Sequence, residues 1–370
     1  MKKNIIRIVK ALLRILHIFP INKKKIFLFC FNGNVVGFDQ KAIVNWINKN
    51  KNNQYEIYWG VASKKLEKRL KLKNVKFIKI KSIKGIFHIM TSKVLIYNIN
   101  PPTYVPFRKK QILINTWHGG GFLKKVGKYA RGFDSDNFNV SNCFISHGQL
   151  WSEKILRDSF EYKGDILNCG APRNDIFFNG EADIVKNQIK KQYNIENKNV
   201  LLYAPTFRGD FSYRESQIDF KRVKEELERK FGGEWVILIK LHPMISNKIE
   251  INSDDWVNVS SHGDMQELLC TADVLISDYS GCIWDFSLTR KPIFIYADDI
   301  DKYNKERGFY FSYDTWPYPI ARNNDELSSE IKKFNKNDYE KKLEDYFNYI
   351  ICFDKGNSCY EIFKYIEKNI

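Results

Sequence analysis

Two doubly wound α/β domains are the fold this sequence predicts, and three observations predict it. From residue 26 onward, short runs of branched and aromatic apolar residues alternate with polar stretches of helical period. Parallel sheets covered by helices on both faces give that pattern. The runs fall into two sets, divided by Gly170-Ala171-Pro172-Arg173-Asn174-Asp175 and a polar helix near Ala182–Tyr193. Hydrophobic residues make up 44% of the 370 residues and aromatics 15%, enough for a sizeable core, which excludes a disordered chain. No apolar run approaches the roughly 20 residues that span a membrane.

The expected strands of the first set are Ile26–Phe31, Tyr55–Gly60, Val75–Ile80, Val94–Tyr97, Gln111–Thr116, Cys143–Ser146 and Asp165–Asn168. Those of the second are Val200–Tyr203, Trp235–Leu241, Trp256–Val259, Val274–Ser277 and Pro292–Tyr296. The predicted division is an N-terminal helix over 1–24, one domain over 25–178, a second over 179–340 and a helical tail over 341–370. Two such domains would face each other across a cleft, with ligands at the carboxyl ends of the strands.

Residues 1–25 place Arg7, Lys10, Arg14 and His17 at three- and four-residue steps, one face of a helix, with Ile, Leu, Val and Phe covering the rest. Basic residues interrupt the apolar stretch throughout and no small-residue cleavage site follows, unlike a secretory leader. An amphipathic helix on an anionic membrane surface fits, aided by Lys23, Lys24 and Lys25. A helix packed on the protein's own core is the other reading. The net charge is +17, from 60 Lys plus Arg against 43 Asp plus Glu. Such a surplus favours an anionic partner without choosing one. No RNA-binding aromatic-basic motif or zinc knuckle is present, so nucleic acid is not expected. The seven cysteines show no C-x-x-C pair and sit in apolar runs, as small core residues of a reducing compartment do. Neither a metal nor a cofactor is expected. Asp298, Asp299 and Asp301 read as a solvated loop, although Asp-x-Asp patterns also hold divalent cations.

Four strand ends carry chemistry. Asn115-Thr116-Trp117-His118-Gly119-Gly120-Gly121 follows an apolar strand, and Lys124 and Lys125 come next. A histidine in a glycine-rich loop near cations suits proton removal beside a phosphate; a tight turn with a hydrogen-bonded histidine fits the same residues. Lys240-Leu241-His242-Pro243 ends a second strand, where Pro243 stops the strand and His242 would point into the cleft. Ser277-Asp278-Tyr279-Ser280-Gly281 runs into a helix bearing Asp285, an anion site or an ordinary N-cap. Tyr203-Ala204-Pro205-Thr206-Phe207-Arg208 offers a hydroxyl and a guanidinium, and Arg173 a second guanidinium; surface ion pairs are the alternative for both arginines.

Taken together, and with Lys291-Pro292 and Arg307-Gly308-Phe309-Tyr310, these motifs resemble in order, from about residue 115 to 325, the CDP-glycerol glycerophosphotransferase family that primes and polymerises teichoic-acid backbones. The resemblance implies a GT-B-like architecture, with the acceptor mostly on the first domain and the CDP-polyol mostly on the second. It implies transfer of glycerol phosphate from CDP-glycerol to a hydroxyl of a membrane-associated teichoic-acid or capsule-type acceptor, a lipid-linked glycan or polyol phosphate, with release of CMP, by a peripheral enzyme on the cytoplasmic face of the membrane. The motif histidines match His118 and His242 as the essential pair. Gly119, Arg173, Thr206, Arg208, Lys240, Asp278, Ser280, Gly281 and Asp285 fall on the donor side, and Gly120, Gly121, Lys124 and Lys125 on the acceptor side. Two departures stand out. Gly281 replaces a serine common in the family, which removes one hydroxyl from the anion loop. The His118-Gly119-Gly120-Gly121-Phe122 loop is one residue longer before Lys124 than the usual His-Gly-Thr-Pro. The alternatives are a CDP-ribitol ribitolphosphotransferase and a GT-B glycosyltransferase using a nucleotide sugar.

Overall fold

A computed structural model of the chain describes residues 2–51, 54–63, 66, 72–121, 123–129, 135–206, 218–241, 252–253 and 256–370. They form two compact units. The first comprises residues 1–118, 126–175 and 353–370, and the second residues 119–125 and 176–352. Each is built on a seven-stranded sheet.

The first unit runs α1 (Lys2–Leu13), β1 (Asn22–Phe29), α2 (Phe38–Asn50), β2 (Glu56–Val61), β3 (Val75–Lys79), α3 (Ile83–Thr91), β4 (Ser92–Tyr97), β5 (Ile112–Asn115), α4 (Ser135–Phe138), β6 (Cys143–Ser146) and β7 (Asp165–Asn168). All its strands are parallel, in the order β3-β2-β1-β4-β5-β6-β7. Successive residues point to opposite faces, and in the inner strands β4, β5 and β6 both faces are buried. Ile26 and Leu28 of β1 join a core with Ile43, Val44 and Ile47 of α2, while Phe27 and Phe29 join Ile89 and Met90 of α3 on the other side. Leu13 and Leu16 dock the N-terminal segment onto that second face. A π-helix, Trp151–Ser159, leads out of β6.

The second unit continues with α5 (Ala182–Gln192), β8 (Asn199–Tyr203), α6 (Phe220–Phe231), β9 (Trp235–Ile239), β10 (Asn252–Ser253), β11 (Trp256–Asn258), α7 (Met265–Thr271), β12 (Val274–Ser277), α8 (Cys282–Ser287), β13 (Ile293–Tyr296), α9 (Ile300–Glu306), β14 (Ile320–Ala321), α10 (Asn324–Lys333) and α11 (Lys336–Ile350). Its order is β10-β11-β9-β8-β12-β13-β14, antiparallel only at β10. Two parallel-sheet α/β units of this kind are the GT-B-like organisation the resemblance implies.

The tail divides: α11 belongs to the second unit, whereas α12 (Ser358–Asn369) belongs to the first. Ile362, Phe363 and Ile366 of α12 enter the core over β1. Asp175 caps this helix, accepting from the N–H groups of Ser358 (3.0 Å) and Cys359 (2.9 Å). Asp354 accepts from Ala171 N (2.8 Å) and Asn174 Nδ2 (3.1 Å) and faces His147 Nδ1 at 3.2 Å. The Gly170–Asp175 segment is therefore a latch for the last helix. At Gly170 (φ +78°) a Cβ would meet the Asp354 backbone at 2.6 Å, so glycine is required there.

Candidate active site

In each sheet the strand order reverses at one point, where the loops after neighbouring strands part and leave a crevice. In the first unit that point lies between β1 and β4. Asn98 follows β4, and its carbonyl lies 3.0 Å from Nδ1 of His118. A carbonyl only accepts, so Nδ1 carries the proton and Nε2 is the basic nitrogen of the neutral ring. The imidazole is held by rings on both sides: Phe31, just after β1, at 5.1 Å, and Trp117 at 4.2 Å. Trp117 leans in turn on Phe160, at 4.6 Å, at the end of the π-helix. Phe31 (φ 45°) and Trp117 (φ 54°) both adopt left-handed backbone, an unfavourable conformation for bulky residues that persists where surrounding structure enforces it. Asn98 Oδ1 accepts from Phe31 N (2.9 Å), so one residue positions both ring and neighbour.

In the second unit the reversal lies between β8 and β12, and there the two loops are zipped together. Asp278 Oδ1 accepts from Thr206 N (2.9 Å), Thr206 Oγ1 (2.6 Å) and Tyr279 N (2.6 Å), and Ser277 Oγ donates to Ala204 O (2.6 Å). Tyr279 stacks on Tyr303 at 3.9 Å and donates to Asp299 (2.8 Å). That bond accounts for one carboxylate of the acidic cluster, and Asp301 takes Arg322 (2.8 Å) and Tyr313 (2.8 Å).

The glycine loop after His118 packs in this second unit. A Cβ on Gly120 would lie 2.1 Å from Trp284 Cδ1, and one on Gly121 (φ +77°) 3.1 Å from Trp284 Cβ. These two glycines let the loop lie flat on the buried Trp284 of α8. A Cβ on Gly119 would meet nothing within 4 Å, and one on Gly281 would lie 3.5 Å from Gly119 Cα. The loop that follows His118 thus passes the Ser280-Gly281 turn with room for no more than a methyl group at Gly281. Lys124 pairs with Phe309, and Lys125 N donates to Gly308 O (2.9 Å), which ties the loop to the Arg307-Gly308-Phe309-Tyr310 motif. Gly120, Gly121, Lys124 and Lys125, expected on the acceptor side, therefore belong to the unit expected to bind the donor.

Several residues expected to touch the donor also make structural bonds. Arg173 is 3% exposed, and its guanidinium pairs with the fully buried Asp39 of α2 at 3.0 Å. Burial pushes the Asp39 carboxyl above its ordinary value, and Arg173 opposes that. Thr206 gives both its N–H and its hydroxyl proton to Asp278. The Lys240 ammonium donates to Ser260 O (2.9 Å) and His262 O (2.6 Å), and burial lowers it to about 8. Asp285 accepts from Gln266 (3.1 Å). Ser280 Oγ accepts from Cys282 N at 3.4 Å, and α8 has only six residues, so backbone donors rather than a helix dipole would serve an anion here. His242 and Arg208 lie outside the described residues. Sequence reasoning missed Asn98, Asp39, Asp354 and Trp284; the one available signal was Asn98 itself, a polar residue between a buried strand and Pro101-Pro102.

Among the described residues, no group of three or more His, Cys, Asp or Glu is placed to hold a metal ion, and no helix is long and apolar enough to cross a membrane. The chain is 28% identical to the teichoic acid glycerol-phosphate transferase of Staphylococcus aureus, covering 93% of this chain and 94% of that protein. It is 31% identical to the teichoic acid glycerol-phosphate primase of Bacillus subtilis, covering 78% and 77%. The wall teichoic acid polymerase TagF superposes with a TM-score of 0.84 at 27% identity, covering 100% of this chain and 95% of that one. A family described as CDP-glycerol:poly(glycerophosphate) glycerophosphotransferase matches residues 11–368, and the chain belongs to it.

Proposed function

We propose that this enzyme transfers glycerol phosphate from CDP-glycerol to a hydroxyl of a teichoic-acid-type acceptor, and that His118 is its general base. The acceptor oxygen forms a bond to the glycerol-bearing phosphorus as the bond to CMP breaks; the hydroxyl proton passes to Nε2 of His118, and CMP departs with the bonding electrons. Backbone N–H groups of Gly119 and Gly281 and the Ser280 hydroxyl lie on the donor phosphates, where they offset charge that grows in the transition state. His242 is the proposed partner that stabilises the leaving phosphate.

One observation carries this reading: a Cβ on Gly281 of the anion turn would come within 3.5 Å of the Cα of Gly119, the residue after the Nδ1-protonated His118. Removing a general base costs about 10²–10⁴-fold in rate. His118→Ala should lower CMP release from CDP-glycerol by about that factor while its thermal melt matches wild type. Undiminished CMP release would refute the role. Incubation with CDP-ribitol in parallel tests the polyol, and formation of a nucleoside diphosphate from a nucleotide sugar would point to glycosyl transfer instead.

We further propose peripheral attachment to the cytoplasmic face of the membrane through the N-terminal segment. Ile5, Ile8, Leu12, Ile15 and Ile18 are 55–76% exposed at three- and four-residue steps, an apolar ridge suited to the lipid interface. The seven cysteines are all free thiols, which fits a reducing compartment.

A further inference from the structure

We propose that the first unit carries a second anion site, remote in sequence from His118, that grips a phosphodiester of the lipid-linked polyol-phosphate acceptor. It rests on the acceptor class proposed above and locates where that acceptor is held. The site is a cavity of about 680 Å³ between the N-terminal segment and the loop after β4, lined by Lys10, Arg14, His17, Arg108, Lys109 and Asp136. Its volume is that of a small-molecule site. Four permanent cations face one carboxylate, and none of the four has a carboxylate partner among the described residues.

The site is built rather than accidental. Arg108 donates from Nη1 to Phe19 O (2.8 Å) and from Nη2 to Leu16 O (2.7 Å), while His17 Nε2 meets Pro106 O at 3.0 Å. These bonds clamp the segment after α1 onto a wall stiffened by Pro101, Pro102 and Pro106. Nε of Arg108 is buried and has no hydrogen-bond partner among the described residues. That nitrogen is closed off from the cavity; Lys10, Arg14 and Lys109, which line its rigid walls, supply the donors an anion would meet.

Position narrows the occupant to a phosphate at the membrane surface. At 3.6 residues per turn, Lys10 and Arg14 lie on the side of the helix opposite Ile5, Ile8 and Leu12. With the ridge in the acyl layer, the pocket opens roughly 10 Å farther out, about one helix diameter. Lipid phosphates and the head group of a membrane-anchored polyol-phosphate chain both reach that level, and the test below separates the two.

The test uses the full chain and a soluble, lipid-free trimer of phosphodiester-linked glycerol phosphate, with calorimetric Kd values. Wild type should bind the trimer, and Lys10→Gln should raise Kd about tenfold, with about tenfold more on adding Lys109→Gln. Sedimentation with phosphatidylglycerol vesicles should change less than twofold. With a lipid-linked acceptor, KM for the acceptor should rise while kcat and KM for CDP-glycerol hold. Thermal melts check that both variants fold. Equal trimer affinity in wild type and variants overturns the proposal. So does vesicle binding lost in step with the substitutions, which would make the pocket a site for bulk anionic lipid. Trimer binding is read without turnover, so absent CMP release would count against the transferase reading alone.

Discussion

Adding a single methyl group at Gly120 tests whether the glycine loop is shaped by substrate or by Trp284. The new Cβ would fall 2.1 Å from Trp284 Cδ1, 2.7 Å from Cγ and 2.9 Å from Nε1. The indole is 2% exposed and bounded by Phe347 at 5.7 Å and Tyr346 at 6.4 Å, so it cannot swing away and the loop must lift. Overpacking of this kind costs about 1–3 kcal/mol. At about 2–4 °C per kcal/mol for a unit of this size, Tm should fall by roughly 2–12 °C. The displaced loop carries Gly119, and a misplacement near 1 Å costs about 10²-fold in rate. Gly119→Ala is the matched control: its methyl meets nothing within 4 Å, so its melt should stay within about 0.5 kcal/mol of wild type. Trp284→Leu supplies the second arm, since the double variant with Gly120→Ala removes the obstacle. Calorimetric melts of the four proteins complete a double-mutant cycle. Additive losses, or a Gly120→Ala melt indistinguishable from wild type, would refute the account of Trp284 as the surface that shapes the loop.

Asp39→Ala leaves the Arg173 guanidinium buried without its counter-charge, and urea unfolding should show a loss of about 3–5 kcal/mol; the double variant Asp39→Leu/Arg173→Met should recover part of it. His88 is stacked on Tyr58 at 4.0 Å, and burial holds its pKa down to about 4. The unfolded chain binds this proton at higher pH than the folded one, so stability is lost as pH falls from 6.5 toward 4; His88→Phe should flatten that part of the stability–pH curve. Lys240 has the same sign in a higher window: wild type should gain stability relative to Lys240→Met as pH rises from about 8 toward 10.5, read by melts at each pH. Leu12→Ser with Ile15→Ser should weaken vesicle sedimentation severalfold without moving the melt, because both side chains are about 70% exposed.

The inner strands were legible where they are buried on both faces and read as unbroken apolar runs, as Val274–Ser277 and Cys143–Ser146 do. The edge strands β10 and β14 have two residues each, too few to carry a period. Strand ends with chemistry were also legible, and His118 lies at one reversal of strand order and Asp278 at the other. What each side chain does there was not. Arg173 and Asp39 are 134 positions apart, and Ala171 and Asp354 are 183 apart; nothing local marks an arginine as buried against such a partner. Motif order marks Thr206 and Lys240 as donor-side residues but does not show that Thr206 also bonds Asp278 and that Lys240 also bonds the Ser260 and His262 carbonyls.

The Asp354 and Asp175 latch has a consequence for biogenesis. The first unit needs residues 353–370 to close its core, yet they are translated after the whole of the second unit. At about 5–20 residues per second, the span from Asp175 to Phe353 occupies the ribosome for roughly 10–35 s. During that interval the apolar face over β1 that Ile362, Phe363 and Ile366 will cover stays open to chaperones, so the part of the molecule that emerges first is the last to be completed.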